Sequence, residues 1–238
     1  MRTRQIISLV ACVALVCPVV SFGSDDGTTV IAVVRDGPPP GEDVVPLIEE
    51  ELALHLPRGT VARFKVDPAF DAGWDPDRIN GALVKALQDS ESDLVLVTGS
   101  LGTAAAVRIE LEKPVVSSYL QRADLFPLPS ADDDRSPVEN LAYMVQSHRA
   151  ARELEVFRSL VEFGSLVVLA GAEEVPLLES VISRLRDARE SAGLGIEVVA
   201  VSPDVRSTLG SVPPGAEAAY VTALPRLSPV SYTHIRAH

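Results

Sequence analysis

The sequence predicts an α/β fold of two lobes, each built on a parallel sheet, and three observations carry that expectation. Short β-branched runs alternate with segments of helical period from residue 28 onward, strand starts near 28, 60 and 93 recur at the spacing of βαβ units, and the rhythm breaks once before resuming. Composition agrees. At 238 residues, 47% hydrophobic and 23% charged, the chain can bury one large core or two small ones, and disorder, a collagen-like repeat and a disulfide scaffold are excluded.

Arg2 and Arg4 precede an apolar run from Ile6 to Val20, and Ser21-Phe22-Gly23 follows with small residues, so 1–23 reads as a secretory signal. Its run is shorter than a bilayer-spanning helix needs. Both cysteines, Cys12 and Cys17, lie inside it, which leaves the expected mature chain without a disulfide, a thiol nucleophile or a cysteine metal ligand. Removal takes two of 21 basic residues and none of 33 acidic ones, for a formal charge of −14. A surface that acidic repels phosphate backbones, so nucleic acid is not an expected partner.

The first lobe is expected over 24–125. Thr28 to Arg35 is its first strand, apolar without alternation and therefore covered on both faces. Asp36-Gly37-Pro38-Pro39-Pro40-Gly41 must be loop. A helix runs from Asp43 to Leu56, and Thr60 to Val66 is a strand. Asp75 as N-cap and Pro76 in the first turn open a helix that points Ile79, Ala82, Leu83, Ala86 and Leu87 inward. Asp93 to Thr98 is a buried strand, Gly99 to Glu110 a small-residue helix, and Pro114 to Tyr119 a fourth strand.

The rhythm breaks from Gln121 to Glu139, with Pro127, Pro129 and Pro137, which predicts an interlobe crossover centred on 126–139. The second lobe is expected over 140–229: strand Leu141–Val145, helix Arg149–Phe163, strand Leu166–Ala170, helix Glu174–Ser191, then strands Ile196–Val201 and Ala218–Val221. Residues 230–238 read as a non-native tail, with the second lobe cut before its final elements.

Ligands of open parallel sheets collect beyond the carboxyl ends of the strands. Those ends supply the candidate ligand-binding residues Asp36, Thr98, Gly99, Ser100, Ser118, Tyr119, Gly171 and Thr222. In Thr98-Gly99-Ser100 the glycine admits close approach and the hydroxyls donate, although a plain strand-to-helix turn uses the same residues. Tyr119 and Trp74 are candidate aromatic walls, and Trp74 could equally plug the sheet edge. No nucleotide-binding glycine motif and no nucleophile elbow occurs, so no cofactor and no enzymatic activity are expected. His55 and His148 are left as possible bases, but His55 ends an amphipathic helix, where a histidine usually serves the dipole or packs, and His148 precedes a helix beside Arg149. Asp132-Asp133-Asp134 lacks the spacing of a calcium loop and is expected to be solvated.

Asp93-Leu94-Val95-Leu96-Val97-Thr98-Gly99-Ser100-Leu101-Gly102-Thr103-Ala104-Ala105, followed by Lys113-Pro114-Val115-Val116, resembles the ABC-transporter substrate-binding proteins of the type 1 periplasmic-binding fold. In that family a strand reading D-L-I-V-A-x-G enters an alanine-rich helix, and the next strand begins x-P-V-V. The chain is also similar to binding-protein-like proteins that accompany TolC-type efflux channels. The resemblance implies two Rossmann-like lobes closing on a small molecule, in a periplasmic protein serving an inner-membrane permease. The alternative it implies is an accessory module bound to an outer-membrane efflux channel. The family's glycine- and asparagine-rich stretch after the first lobe is replaced here by Pro127 to Pro137.

Overall fold

A computed structural model describes residues 27–38, 44–117, 129, 136–143, 149–178, 183, 194–202, 204–222, 224 and 226–227. The leader, His148, the aspartate run and residues 230–238 lie outside that set. The chain divides into two compact units, the first holding the strands from Thr28 to Tyr143 and the second those from Ser165 to Val221.

The first unit is a parallel sheet of β1 (Thr28–Val34), β2 (Val61–Lys65), β3 (Leu94–Val97), β4 (Val115–Ser117) and β5 (Leu141–Tyr143) in the order β2-β1-β3-β4-β5. The unbroken apolar run of β1 is explained by cover on both faces. Ile31 and Val33 join Leu94, Leu96 and Val116 against Val45, Ile48 and Leu52 of α1 (Val45–His55). Ala32 and Val34, which alternate with them, are fully buried as well. Helix α2 (Pro76–Gln88) buries the five expected residues, Ile79, Ala82, Leu83, Ala86 and Leu87, and Asp75 caps it by accepting the Asp77 amide at 2.9 Å. Helix α3 (Ser100–Ala106) is shorter than expected, ending at Ala106 instead of Glu110. A 3-10 turn, Pro68–Phe70, was not anticipated; Asp67 caps it through the Ala69 amide.

Leu141–Tyr143 differs in placement. Expected at the head of the second lobe, it pairs in parallel with β4 and closes the first sheet. The reason is local. Asn140, at φ 58°, turns its carbonyl to accept the Val115 amide at 2.7 Å, while its side chain donates to Leu111 O at 2.9 Å. Asparagine tolerates that left-handed conformation better than most residues. Without β5, the fully buried Val115 and Val116 would lie on an open sheet edge.

The second unit is a parallel sheet in the order β7-β6-β8, formed by β6 (Ser165–Gly171), β7 (Gly195–Val201) and β8 (Ala218–Val221). Val167, Leu169, Val199 and Val201 pack with Leu224 and Leu227. Helix α4 (Arg149–Leu160) places Phe157 against Phe163, ring centroids 5.0 Å apart. Of the helix expected from Glu174, residues 175–178 and 183 are described and are helical. Helix α5 (Val205–Gly210) is an addition, nucleated by Asp204, whose carboxylate accepts the Arg206 and Ser207 amides.

A polar knot at the C-terminus of α2 anchors the first unit. Lys65 donates to both carboxylate oxygens of Asp89 at 2.9 Å, Ser92 donates to the same carboxylate, and Lys113 donates to the Asp89 and Ser92 carbonyls. The Ser92 hydroxyl holds the Asp89 carboxyl below its ordinary range, partial burial opposes it, and Lys65 adds to the lowering. A depressed carboxyl stabilises the fold above its unfolded value, and that contribution is lost as pH falls through the folded value. Asp89→Asn should therefore cost about 1–2 kcal/mol at pH 7, with the gap to the parent closing below pH ~4. Urea unfolding at both pH values measures it; a gap independent of pH would refute the assignment.

Candidate functional site

In the order β2-β1-β3 the chain leaves β1 in one direction and returns to β3 on its other side, so the connections part above the tips of β1 and β3. Such a switch point is where open α/β sheets leave room for ligands. Asp36-Gly37 follows β1 and Thr98-Gly99-Ser100 follows β3, so the topology brings these two sets of expected residues together.

What stands there is already partly occupied by the protein itself. Asp36 is 4% exposed, and its two carboxylate oxygens accept the Leu101 and Gly102 amides of α3 at 2.9 and 2.8 Å. Expected as a ligand contact, Asp36 is instead the cap of α3, because two free helix amides lie within reach of the β1 tip. The glycines follow from it. A Cβ on Gly99 would lie 2.1–2.6 Å from the Asp36 carboxyl, and one on Gly102 would meet Val97 at 2.4 Å and Asp36 at 3.3 Å. Thr98 and Ser100 remain half-buried, with the Thr98 hydroxyl donating to Val34 O at 3.3 Å. Ser117, at the β4 tip, is hydrogen-bonded to Thr103 of α3 at 2.7 Å and is fully buried. Ser118 and Tyr119 lie outside the described residues.

Trp74 completes this surface. The segment after the 3-10 turn zips along the end of β1: Arg35 donates to Phe70 O, Ala72 to Arg35 O, and Trp74 to Asp36 O. Trp74 adopts φ 62°, its indole donates to Pro38 O at 3.3 Å, and a Cβ on Gly37 would fall 2.3–2.5 Å from its ring. Trp74, which the sequence leaves open as an aromatic wall or a plug, packs its ring on the Asp36-Gly37 loop and is half-buried.

The second unit repeats the geometry. Its first strand, β6, is again flanked on both sides, with Gly171 at its end and Thr222 just after its neighbour β8. Thr222 is buried and donates its amide to Leu169 O at 2.9 Å. The unexpected residue is Glu173. Its side chain is 3% exposed, it lies against Gly171, and neither carboxylate oxygen has a hydrogen-bond partner. Arg226, itself 40% exposed, approaches to 3.6 Å, an ion pair beyond hydrogen-bonding range. The remaining cavity beside it is about 10 Å³, lined by Gly171, Val201, Ser202, Leu224 and Arg226. The sequence carried one signal for this residue, a pair of glutamates directly after an apolar strand, but nothing to say which one turns inward.

A wider hollow of about 720 Å³ lies at the opposite end of β6, between α4 and Glu217. It is mostly exposed and lined by Glu155, Glu162 and Glu217 against the single cation Arg158, and it lacks the strand-tip position. Among the described residues no group of three or more His, Cys, Asp or Glu side chains could hold a metal, and no helix is long and apolar enough to cross a membrane.

No protein-family model matches the chain, and no curated protein is similar to it in sequence. Solved structures share its architecture. The ABC domain in complex with L-Trp from Streptococcus pneumonia matches with a TM-score of 0.55 at 16% identity, over 86% of this chain and 68% of that one. A conserved domain protein from Vibrio cholerae matches with 0.53 at 13% identity, over 77% and 62%. A ligand-free, open substrate-binding protein with adhesive properties from Clostridium difficile is more distant, at 0.42 and 14% identity over 81% and 65%. The chain has a periplasmic-binding-protein-like fold. Likeness at such low identity fixes architecture and leaves chemistry to the residues themselves.

The capping geometry has a measurable consequence. Gly99→Ala must displace a carboxylate pinned by two amides, and Asp36→Ala leaves those amides unsatisfied, so each should destabilise by roughly 2 kcal/mol or more. Gly81→Ala, in the exposed middle of α2 where nothing lies within 4 Å of the added methyl, is the control and should stabilise by up to about 1 kcal/mol. Equal denaturation midpoints for all three would contradict the assignment.

Proposed function

We propose that this chain is a solute-binding protein of an ABC-type transport system, taking a small molecule at the strand-tip surfaces of its units. The observation that supports this most is the repeated topology. Each unit flanks its first strand on both sides and so opens one switch point, and glycines and hydroxyls stand at both. In this reading Thr98, Gly99 and Ser100, with Ser118 and Tyr119, are the ligand residues of the first unit, where Trp74 adds an aromatic surface, and Gly171 and Thr222 are those of the second. Asp36 acts behind them, holding α3 in register. The likeness to an ABC domain bound to L-Trp supports a compact organic solute as the ligand class. Residues 1–23 are proposed to direct export to the periplasm, with an inner-membrane permease as the receiver.

The test is thermal unfolding of the purified chain against a panel of small metabolites that includes L-tryptophan. A ligand at 100 times its Kd adds about 2.7 kcal/mol, which for a domain of this size raises Tm by about 5–10 °C. Trp74 is the single tryptophan, so a ligand without an indole should also change the protein's intrinsic emission as it saturates the site. A panel that moves neither signal, with co-purification of an outer-membrane channel, would overturn solute binding in favour of an accessory role in efflux.

A further inference from the structure

We propose that Glu173 forms a subsite for a primary ammonium group, making amine-bearing solutes the ligand class of the second unit. The inference deepens the solute-binding reading and rests on it for the ligand's destination.

A carboxylate this deeply buried is ordinarily satisfied by hydrogen-bond donors or by a closely bonded cation. Glu173 has neither: both oxygens lack a donor, and Arg226 stops at 3.6 Å. Its place is the one where the fold leaves room, the tip of the central strand, with the carboxylate laid against Gly171. The adjoining cavity, about 10 Å³, is near the size that admits one water. That size selects the head group. A primary ammonium is about as large as a water, brings three donors and a full positive charge, and would give both oxygens what they lack. A quaternary ammonium is too large for the space, and an anion would bring no donor to the carboxylate oxygens and be repelled by them. Arg226, 40% exposed and held at the rim by a long contact, is the resident counter-ion that an incoming ammonium displaces.

The first unit reinforces the same preference. Its strand-tip surface also buries a carboxylate, Asp36, which already occupies the two α3 amides that an anionic ligand would need.

The experiment titrates the full chain with methylammonium, tetramethylammonium and acetate, following the amide resonances of Gly171, Glu173 and Arg226 by heteronuclear NMR. Methylammonium should shift them saturably, tetramethylammonium should bind at least ten times more weakly, and acetate should leave them unmoved. Glu173→Gln should lose the methylammonium response by at least tenfold, and Arg226→Ala should strengthen it by removing the competing cation. If Glu173→Gln fails to fold, Arg226→Ala carries the decision: weaker or unchanged methylammonium binding there would mean a purely structural ion pair and end the proposal. An unmoved parent spectrum, or a response kept in Glu173→Gln, ends it equally. Because these probes need no cognate solute, a saturable methylammonium response alongside a silent metabolite panel would keep the subsite and discard the transport reading.

Discussion

The arrangement of the first unit depends on one carboxylate. Asp36 leaves the tip of β1 and inserts between the first amides of α3, joining residues 65 and 66 positions apart. The ladder sets the spacing of the β1 and β3 tips, and the Asp36 bond fixes the start of α3 against the β1 tip, and thereby the floor of the switch point. It also dictates neighbouring residue types: Gly99 and Gly102 are small because the carboxylate and Val97 fill the space a side chain would take. On the far side of the same loop, the Asp36 carbonyl receives the Trp74 amide, so the aromatic ring is positioned by the residue that caps the helix. A helix N-terminus that could have bound a ligand's anion is neutralised from within.

The two units solve the same topological problem with different electrostatics. In each, the chain buries an acid just beyond its first strand, Asp36 in one and Glu173 in the other. Asp36 has two amide donors and Glu173 has no hydrogen-bond donor. The difference lies in the turn. Two residues separate Gly171 from the helical segment that begins with Glu174 accepting the Leu177 and Leu178 amides through its carbonyl, and Glu173 folds back onto Gly171 instead of reaching that helix end. A fold that needed only a filled space at Glu173 could place a methionine there without the desolvation of a charge. The stabilising acid and the unsatisfied acid are thus chemically alike but occupy opposite ends of the trade between rigidity and availability.

Much of the architecture was legible because it rests on local signals. The apolar run of Thr28–Val34 announces a strand covered on both faces, and Asp75-Pro76 with the inward set Ile79, Ala82, Leu83, Ala86 and Leu87 specifies α2 down to its buried residues. Sheet membership was less legible. Leu141–Tyr143 is three residues long and follows a proline-rich break, and its pairing with β4 depends on the left-handed turn at Asn140, which no periodicity encodes. The site was legible in position and illegible in role. Strand ends mark where Asp36 and Thr98-Gly99-Ser100 lie, but the Asp36 bond spans a separation over which sequence pattern carries no information. Likewise Glu173 and Glu174 are indistinguishable on paper, and only the fold decides which of them is buried.

Charge closes the argument about what such a surface can hold. A chain with 33 acidic and 21 basic residues already disfavours anionic partners at long range. At short range the effect is sharper, because the carboxylates at the strand tips are buried, where their fields are screened far less than those of surface acids. The first of them cancels the helix amides that would have attracted an anion, and the second, with Arg226 no closer than 3.6 Å, leaves two acceptor oxygens without a hydrogen-bond donor beside a cavity of water size. Long-range repulsion, a capped helix end and an unsatisfied buried acid all act in the same direction, and their common consequence is a strand-tip surface unfavourable to anions.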